Sequence, residues 1–366
     1  MIDWLPIDPD APAPLAGLRV LDLSELLPGP FMTQSLVELG ADVIKVERPP
    51  HGDPIRRAAP GLFTAVNRGK RSIRVDLKTA AGLATVLALT DGADVLVESF
   101  RPGVLARLGL DWAGLQRRNP RLVMASLSGY GTEGPRAQWP GHDLNYLAVA
   151  GVVGMAMKDG AESSPSFGVP VADLAGSTYA LAAVQTALLH RVRTGKGQHL
   201  DISLTHCVAH WMNPRLAALF DAGGDAAKAR RAVQQRPAYG TFRCQDGRAL
   251  TVAALEDHFW QALVQALPLP DFAGPEFARY PGRAAATADI HAAIAAVLAK
   301  ETCQHALDRL AAADVPVAEV VSLDAVAKQP ALLDAGLFVE TAAGPLLRFP
   351  VALTGVTASS AVQPAP

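Results

Sequence analysis

The chain has 366 residues, half of them hydrophobic, and 33 basic side chains against 35 acidic ones leave a formal charge of −2. That length allows a substantial core and favours about two domains, while the balanced charge, with no dense Lys/Arg cluster, argues against nucleic acid as the main ligand. The opening MIDWLPIDPDAPAP lacks the basic start and apolar stretch of a secretory signal, no run reaches the roughly 18 apolar residues of a membrane span, and three cysteines without CxxC spacing disfavour a disulfide framework, so a cytoplasmic protein with reduced thiols and no membrane partner is expected.

From residue 18 strand-like and helix-like stretches alternate: LRVLDLS, PFMTQSLVELG, DVIKVE, SIRVDL, KTAAGLATVLALTDGA and DVLVESF, then two short helices through Asn119, then LVMASLSG. Gly or Pro marks the boundaries, and runs of Val, Leu and Ile suit strands buried on both faces. This grammar predicts an α/β fold, a large Rossmann-like domain built on a parallel sheet. A helix follows around STYALAAVQTALLHRVR, and HLDISL supplies one more strand. Residues 206–220 read as a connecting helix and DAGGDAAKARRAVQQRP as a polar linker. In YGTFRCQDGRALTVAAL, Asp246-Gly247 reads as a hairpin turn, and helices near 256–267, 285–299 and 302–313 complete a smaller α+β domain. The predicted division is a large domain at 1–200, a connector at 201–224, a small domain at 225–328 and a return segment at 329–366, whose Pro/Ala-rich tail SSAVQPAP reads as frayed.

Several familiar motifs fail on context. GYGTEG at 129–134 matches GxGxxG after a strand, but Pro135 and RAQWPG replace the helix that would hold a pyrophosphate. RTGKGQ lacks the spacing of a P-loop, and no GxSxG elbow is present. His206, Cys207 and His210 have no fourth ligand, so no metal site is predicted.

Four stretches carry candidate chemistry. In WPGHDLNYLAVAG, His142 sits beside Asp143 where a glycine-rich loop gives way to an apolar run. In VESFRPGVLARLG, Arg101 lies at a strand's carboxyl end and Arg107 farther along the following helix, a setting for an anion. In FTAVNRGKRSIRVDL, Asn67, Lys70 and Arg71 crowd a loop entering a strand, which alone reads as a solvated face. In PVADLAGSTYALA, Asp173 stands at a helix threshold, which alone reads as an N-cap.

In this order and spacing the four stretches resemble the class III CoA-transferase (CaiB/BaiF-like) family, which also contains the α-methylacyl-CoA racemases. The resemblance runs through LLPGPFMTQSLVELGADVIKVERPPHGDPIR, NRGKRSIRVDLK, VLVESFRPGVLARLGLDW, LVMASLSGYGTEGP, GHDLNYLAVAG, VADLAG, TGKGQHLDISL and VAALEDHFW. It implies a large and a small domain, a homodimer of interlocked rings, and LLRFPVALTG returning to the large domain. It also implies no prosthetic group: CoA enters as part of the acyl-CoA substrate, near Lys45, Asn67, Lys70, Phe100, Arg101 and Arg107. Asp173 matches the acidic residue that serves transferases as nucleophile and racemases as acid/base. The GHD segment at His142 matches the racemase branch, as does Glu256, where a small-domain glutamate supports the histidine. Ala172 and Ser177 depart from glycines common around the aspartate.

Racemisation is therefore the leading expectation. Inverting the α-carbon of a 2-methylacyl-CoA removes a proton from one face and returns one to the other, so two opposed groups, His142 and Asp173, exchange roles through an enolate. An imidazole suits this because its ordinary pKa lies near 6.5, whereas Asp173 needs its pKa raised by burial. Backbone amides around Gly141 to Asp143, or at the helix start after Asp173, are candidate donors to the thioester oxygen. Tyr146, one turn beyond His142, is a candidate for CoA contact or for packing. The alternative is a CoA-transferase in which Asp173 forms an anhydride and then an aspartyl-CoA thioester; a second is a CoA-thioester-binding protein without turnover.

Overall fold

Six short segments form one sheet in a computed structural model that describes residues 2–5, 13–157 and 167–353. They are β1 (Arg19–Asp22), β2 (Asp42–Glu47), β3 (Arg71–Arg74), β4 (Val95–Glu98), β5 (Val123–Ser128) and β6 (His199–Ser203). Their order is β3-β2-β1-β4-β5-β6 and every pairing is parallel, the strand order of a Rossmann fold.

Successive strand residues point to opposite faces, and the sequence fills both. Val20, Val43, Val95 and Val123 pack against Met32 and Leu36 of the Pro28–Glu38 helix and Val184 of the Val171–Thr194 helix. Their neighbours Leu21, Ile44, Leu96 and Met124 pack on the other face against Val86 and Leu89 of the Ala80–Asp91 helix. Two apolar faces demand two layers of helices, which is why these strands read as unbroken Val/Leu/Ile runs. Progress across the sheet reverses between β1 and β4, and the crevice beyond their carboxyl ends is where open α/β sheets bind ligands.

The chain divides into two units. The larger comprises Met1–Asn213 with Leu333–Pro366, the smaller Pro214–Leu332. The first break falls beyond the expected residue 200 because the Leu204–His210 helix buries Leu204 and Val208 among Tyr146, Leu147 and Ala175 of the larger unit. In the smaller unit β7 (Tyr239–Arg243) and β8 (Ala249–Ala253) form the expected hairpin, with Gly247 at φ 79° supplying the left-handed turn. An unforeseen strand, β9 (Val317–Glu319), pairs with β8. Helices Asp257–Ala266, Thr287–Leu298 and Cys303–Ala312 cover this sheet with Trp260, Leu263, Ile290, Ile294 and Leu310. The expected polar linker contains a helix, Ala226–Gln234, because Ala, Lys and Arg are good helix formers and the Asp225 carboxylate accepts from the Lys228 amide at 2.9 Å as its N-cap.

The segment from Leu333 carries an antiparallel hairpin, β10 (Phe338–Thr341) and β11 (Gly344–Leu347), bound to the larger unit. Arg68 Nη2 donates to the Leu347 carbonyl at 2.8 Å, and the buried Glu38 carboxylate accepts from both Arg68 and the Phe349 amide. The tail SSAVQPAP lies outside the described residues. Among those described, no helix is long and apolar enough to cross a membrane.

Candidate active site

A cavity of about 550 Å³ opens at the crevice between the β1 and β4 ends. Glu25, Leu26 and Pro28 wall it after β1, Ser99, Phe100 and Arg101 after β4, and Gly129 after β5. Further walls include Trp139, His142, Asn145, Tyr146 and Asp173. The structure thus brings His142, Asp173, Phe100, Arg101 and Tyr146 to one cavity.

Asp173 is the third residue of the Val171–Thr194 helix. A carboxylate there ordinarily gains from the amides and dipole of the helix start. Here those amides are engaged: Asp143 Oδ1 accepts from the Ala172 and Asp173 N–H groups at 2.6 and 3.1 Å. Asp143 is therefore the cap, and the next amide, of Leu174, donates to the Pro170 carbonyl at 3.0 Å, so the helix start can be struck from the candidate donors to a thioester oxygen. Burial pushes the Asp173 carboxyl up to about 7, and the charge of Asp143 adds to the rise. Near neutral pH Asp173 is accordingly available both as carboxylate and as acid. Ser177 is buried, and its hydroxyl lies 2.7 Å from the carbonyls of both Pro28 and Asp173, its one proton shared between them, tying this helix turn to the wall after β1.

His142 is the N-cap residue of the Asp143–Val149 helix; its amide donates to Asn145 Oδ1 at 3.0 Å. The residue is exposed and lines the cavity. Tyr146 both packs and lines the wall: it is buried, its ring meets Tyr130 edge to face at 5.2 Å, and its hydroxyl donates to the Gly141 carbonyl at 2.6 Å. Burial pushes its phenol up to about 12, Asp173 adding to the rise, so it serves as donor and not base. The ring lies too close to Gly129 and Gly141 for either to carry a side chain. A Cβ at Gly129 would stand 2.4 Å from Tyr146 Cε1, and one at Gly141 2.6 Å. Gly129→Ala should therefore lower the stability of the larger unit by about 1–3 kcal/mol. Thermal melts check this, and Gly129→Ala/Tyr146→Leu should recover part of the loss; an unchanged melt in the single variant would contradict the packing.

Three expected CoA contacts are placed elsewhere. Lys45, Asn67 and Lys70 are at most 1% exposed, and their polar ends serve the core. Lys45 Nζ donates to the Ser24 carbonyl at 2.8 Å and pairs with Asp53 at 3.1 Å. Lys70 Nζ pairs with Asp22 at 3.0 Å and donates to Asn67 Oδ1 at 2.8 Å. Burial alone would raise the Asp22 carboxyl; Lys70, Lys45 and the hydroxyls of Ser24 and Thr33 outweigh it and hold it well below the usual carboxylate range. The solvated loop predicted here instead begins at the buried end of a helix, Pro60–Asn67, and a polar group inside a core must find polar partners. Arg107 is exposed and does not line the cavity. Glu256, the exposed N-cap residue of the Asp257–Ala266 helix, belongs to the smaller unit. Sequence reasoning missed Glu25, Leu26 and Trp139; the exposed Trp in AQWPG, two residues before GHD, was the available signal for the last. Among the described residues no cluster of His, Cys, Asp and Glu could hold a metal ion.

A Rossmann-ordered sheet with a half-buried carboxylate in its switch-point crevice defines an α/β protein equipped for nucleophilic or proton-transfer chemistry on a bound ligand. The chain belongs to CoA-transferase family III, whose family model matches residues 15–366. It is 33% identical to the acetyl-CoA:oxalate CoA-transferase of Acetobacter aceti over 365 residues, covering 97% of this chain and 92% of that protein. It is 36% identical to the human α-methylacyl-CoA racemase over 269 residues, covering 70% of this chain and 65% of that one. Among solved structures, a CaiB/BaiF family protein from Brucella suis superposes with a TM-score of 0.84 at 31% identity, covering 97% and 96% of the two chains.

Proposed function

We propose that the protein is a CoA-transferase, moving CoA from an acyl-CoA thioester to a free carboxylic acid with Asp173 as nucleophile. The observation carrying this is Asp173 itself, a partly desolvated carboxylate in the wall of a cavity at the sheet's switch point. The match along nearly the whole length of a CoA-transferase supports it. CoA is the substrate carrier, Phe100 and Arg101 its contacts in the cavity and Arg107 one beyond it, and the working form is the interlocked homodimer implied by the resemblance.

In this reaction an Asp173 oxygen attacks the thioester carbonyl, the C–S bond breaks, and CoA departs as thiolate, leaving a mixed anhydride. The thiolate then attacks the side-chain carbonyl, expels the first acid as carboxylate, and forms an aspartyl thioester. A second carboxylate attacks that thioester and releases the thiolate again. Attack of the thiolate on the new acyl carbonyl yields the new acyl-CoA and frees Asp173. C–S and C–O bonds are exchanged throughout, and no proton leaves carbon, so His142 is not required as a base.

One observation favours a second reading. His142 lines the same cavity as Asp173, as α-methylacyl-CoA racemisation with Glu256 in support of the histidine would need. The two readings separate in heavy water. A transferase makes new acyl-CoA from an added acid, leaves the α-hydrogen of a 2-methylacyl-CoA unexchanged, and in His142→Ala keeps its rate within about tenfold. A racemase exchanges the α-hydrogen with no acid present and loses about 10²–10⁴-fold in the same variant. Exchange without transfer, lost in His142→Ala, would overturn the transferase in favour of the racemase. Neither reaction, with CoA still raising the melting temperature, would leave a binding protein.

A further inference from the structure

Two large apolar side chains are held open to solvent in this cavity. Leu26 is 43% exposed and Trp139 56% exposed, and both line it. Leu26 has φ 66°, a left-handed conformation that costs a residue with a Cβ about 1–2 kcal/mol. The fold compensates with buried charge. The Leu26 amide lies 3.2 and 3.3 Å from the two Asp53 carboxylate oxygens; Asp53 pairs with Lys45, and Lys45 holds the Ser24 carbonyl. Both ends of the Ser24–Leu26 turn are thus clamped, and the isobutyl group stays at the wall. Trp139 is fixed by different means. Its neighbour Gln138 donates to the Pro102 carbonyl at 3.1 Å, its own amide donates to the Arg136 carbonyl at 2.9 Å, and the Arg136 guanidinium sits 5.2 Å from its ring.

Apolar surface fixed in the open gains free energy when a ligand or a second chain covers it, and in a cavity wall beside Asp173 a ligand is the occupant the site calls for. The charges lining the same cavity select which part of a ligand can do so. Glu25, which pairs with Arg48 at 3.2 Å, and Asp173 are the acids, His142 is an imidazole, and Arg101 is the one Lys or Arg among the lining residues. A second carboxylate at the far end of an acyl group would meet these acids with Arg101 the one Lys or Arg in the wall to receive it, since Arg48 beside the cavity is engaged by Glu25. We propose that Leu26 and Trp139 are specificity-determining residues and that the acyl group accepted is an uncharged apolar one, branched or aromatic, in place of a dicarboxylic acyl group. The inference rests on the reading that this cavity takes acyl-CoA, and holds for transfer or racemisation alike.

Calorimetric binding to the wild-type chain, with no free acid present, tests it using CoA, phenylacetyl-CoA and succinyl-CoA. Phenylacetyl-CoA should bind at least about tenfold tighter than succinyl-CoA. Trp139→Ala, a surface change, and Leu26→Gly, which removes the side chain and suits the left-handed φ, should each cut that preference below about threefold while leaving the Kd of free CoA unchanged. Equal or tighter binding of succinyl-CoA overturns the proposal. So does a matching loss of free-CoA affinity in Trp139→Ala, which would place the indole under the adenine. Failure of all three ligands to bind would defeat the acyl-CoA reading of the cavity, and this inference with it.

Discussion

Asp173→Asn should abolish turnover and, at pH 8, make the protein more stable. Removing the nucleophile should lower the rate at least about 10³-fold, measured as acyl-CoA formed from an added acid. Stability should move the other way. The folded-state pKa, about 7, lies above the carboxyl's ordinary 3.8, so the folded protein holds a proton that the unfolded chain has lost. The stabilisation from that proton is complete below about pH 3.8 and is lost as pH rises towards 7. Asparagine carries no charge at any of these pH values. Its advantage at pH 8 should be on the order of 1–3 kcal/mol, less than the full shift implies because the cavity admits water. Loss of activity joined to a higher melting temperature cannot come from misfolding, and a variant less stable than wild type at pH 8 would remove the case for a destabilised carboxylate. The wild-type transfer rate should climb with pH through about 7 as the nucleophile ionises.

The largest stability effect is expected beneath the cavity. Asp22 receives Lys70 Nζ at 3.0 Å, the Thr33 hydroxyl at 2.6 Å and the Ser24 hydroxyl, all out of reach of solvent. Asp22→Asn removes the carboxylate that favours the charged Lys70 amine, which burial already pushes down to about 7, so the amine is left in the core without its partner and gives up its proton near neutral pH. Breaking one side of such a pair costs about 3–5 kcal/mol, a fall in melting temperature on the order of 10 °C for a unit of this size. Replacing both partners, as Asp22→Asn/Lys70→Met, should recover part of the loss, because no unpartnered amine is then left in the core. A single variant that melts with wild type would mean the pair is not the buried one seen here.

Lys70 also marks where sequence reading stops. The four inner strands of the parallel sheet were legible because strands buried on both faces are rich in Val, Leu and Ile, and the βαβ rhythm marked the two polar edge strands, β3 and β6. The Asp246-Gly247 hairpin was legible because few residues tolerate the turn's left-handed backbone. Polar residues are harder, since a lysine that binds a ligand and a lysine that neutralises a buried acid look alike. The clue for Lys45 and Lys70 was Asp22, a carboxylate inside the apolar run VLDLS that needed a cation nearby. Alanine-, lysine- and arginine-rich composition hid the Ala226–Gln234 helix, because no apolar stripe announced it. At the site, His142 and Asp173 stand out as residue types; Leu26 does not, since its role rests on a dihedral angle that no side chain in ELLPG betrays.

Arg68 and Glu38 meet the backbone of Leu347 and Phe349 across 279 and 311 residues of chain. During synthesis both side chains are therefore made long before the segment that completes their burial. A nascent chain can emerge with all six strands and still lack this closing strap. Premature termination anywhere between Asn213 and Leu347 would leave that ion pair uncovered, a flaw that quality-control proteases can find.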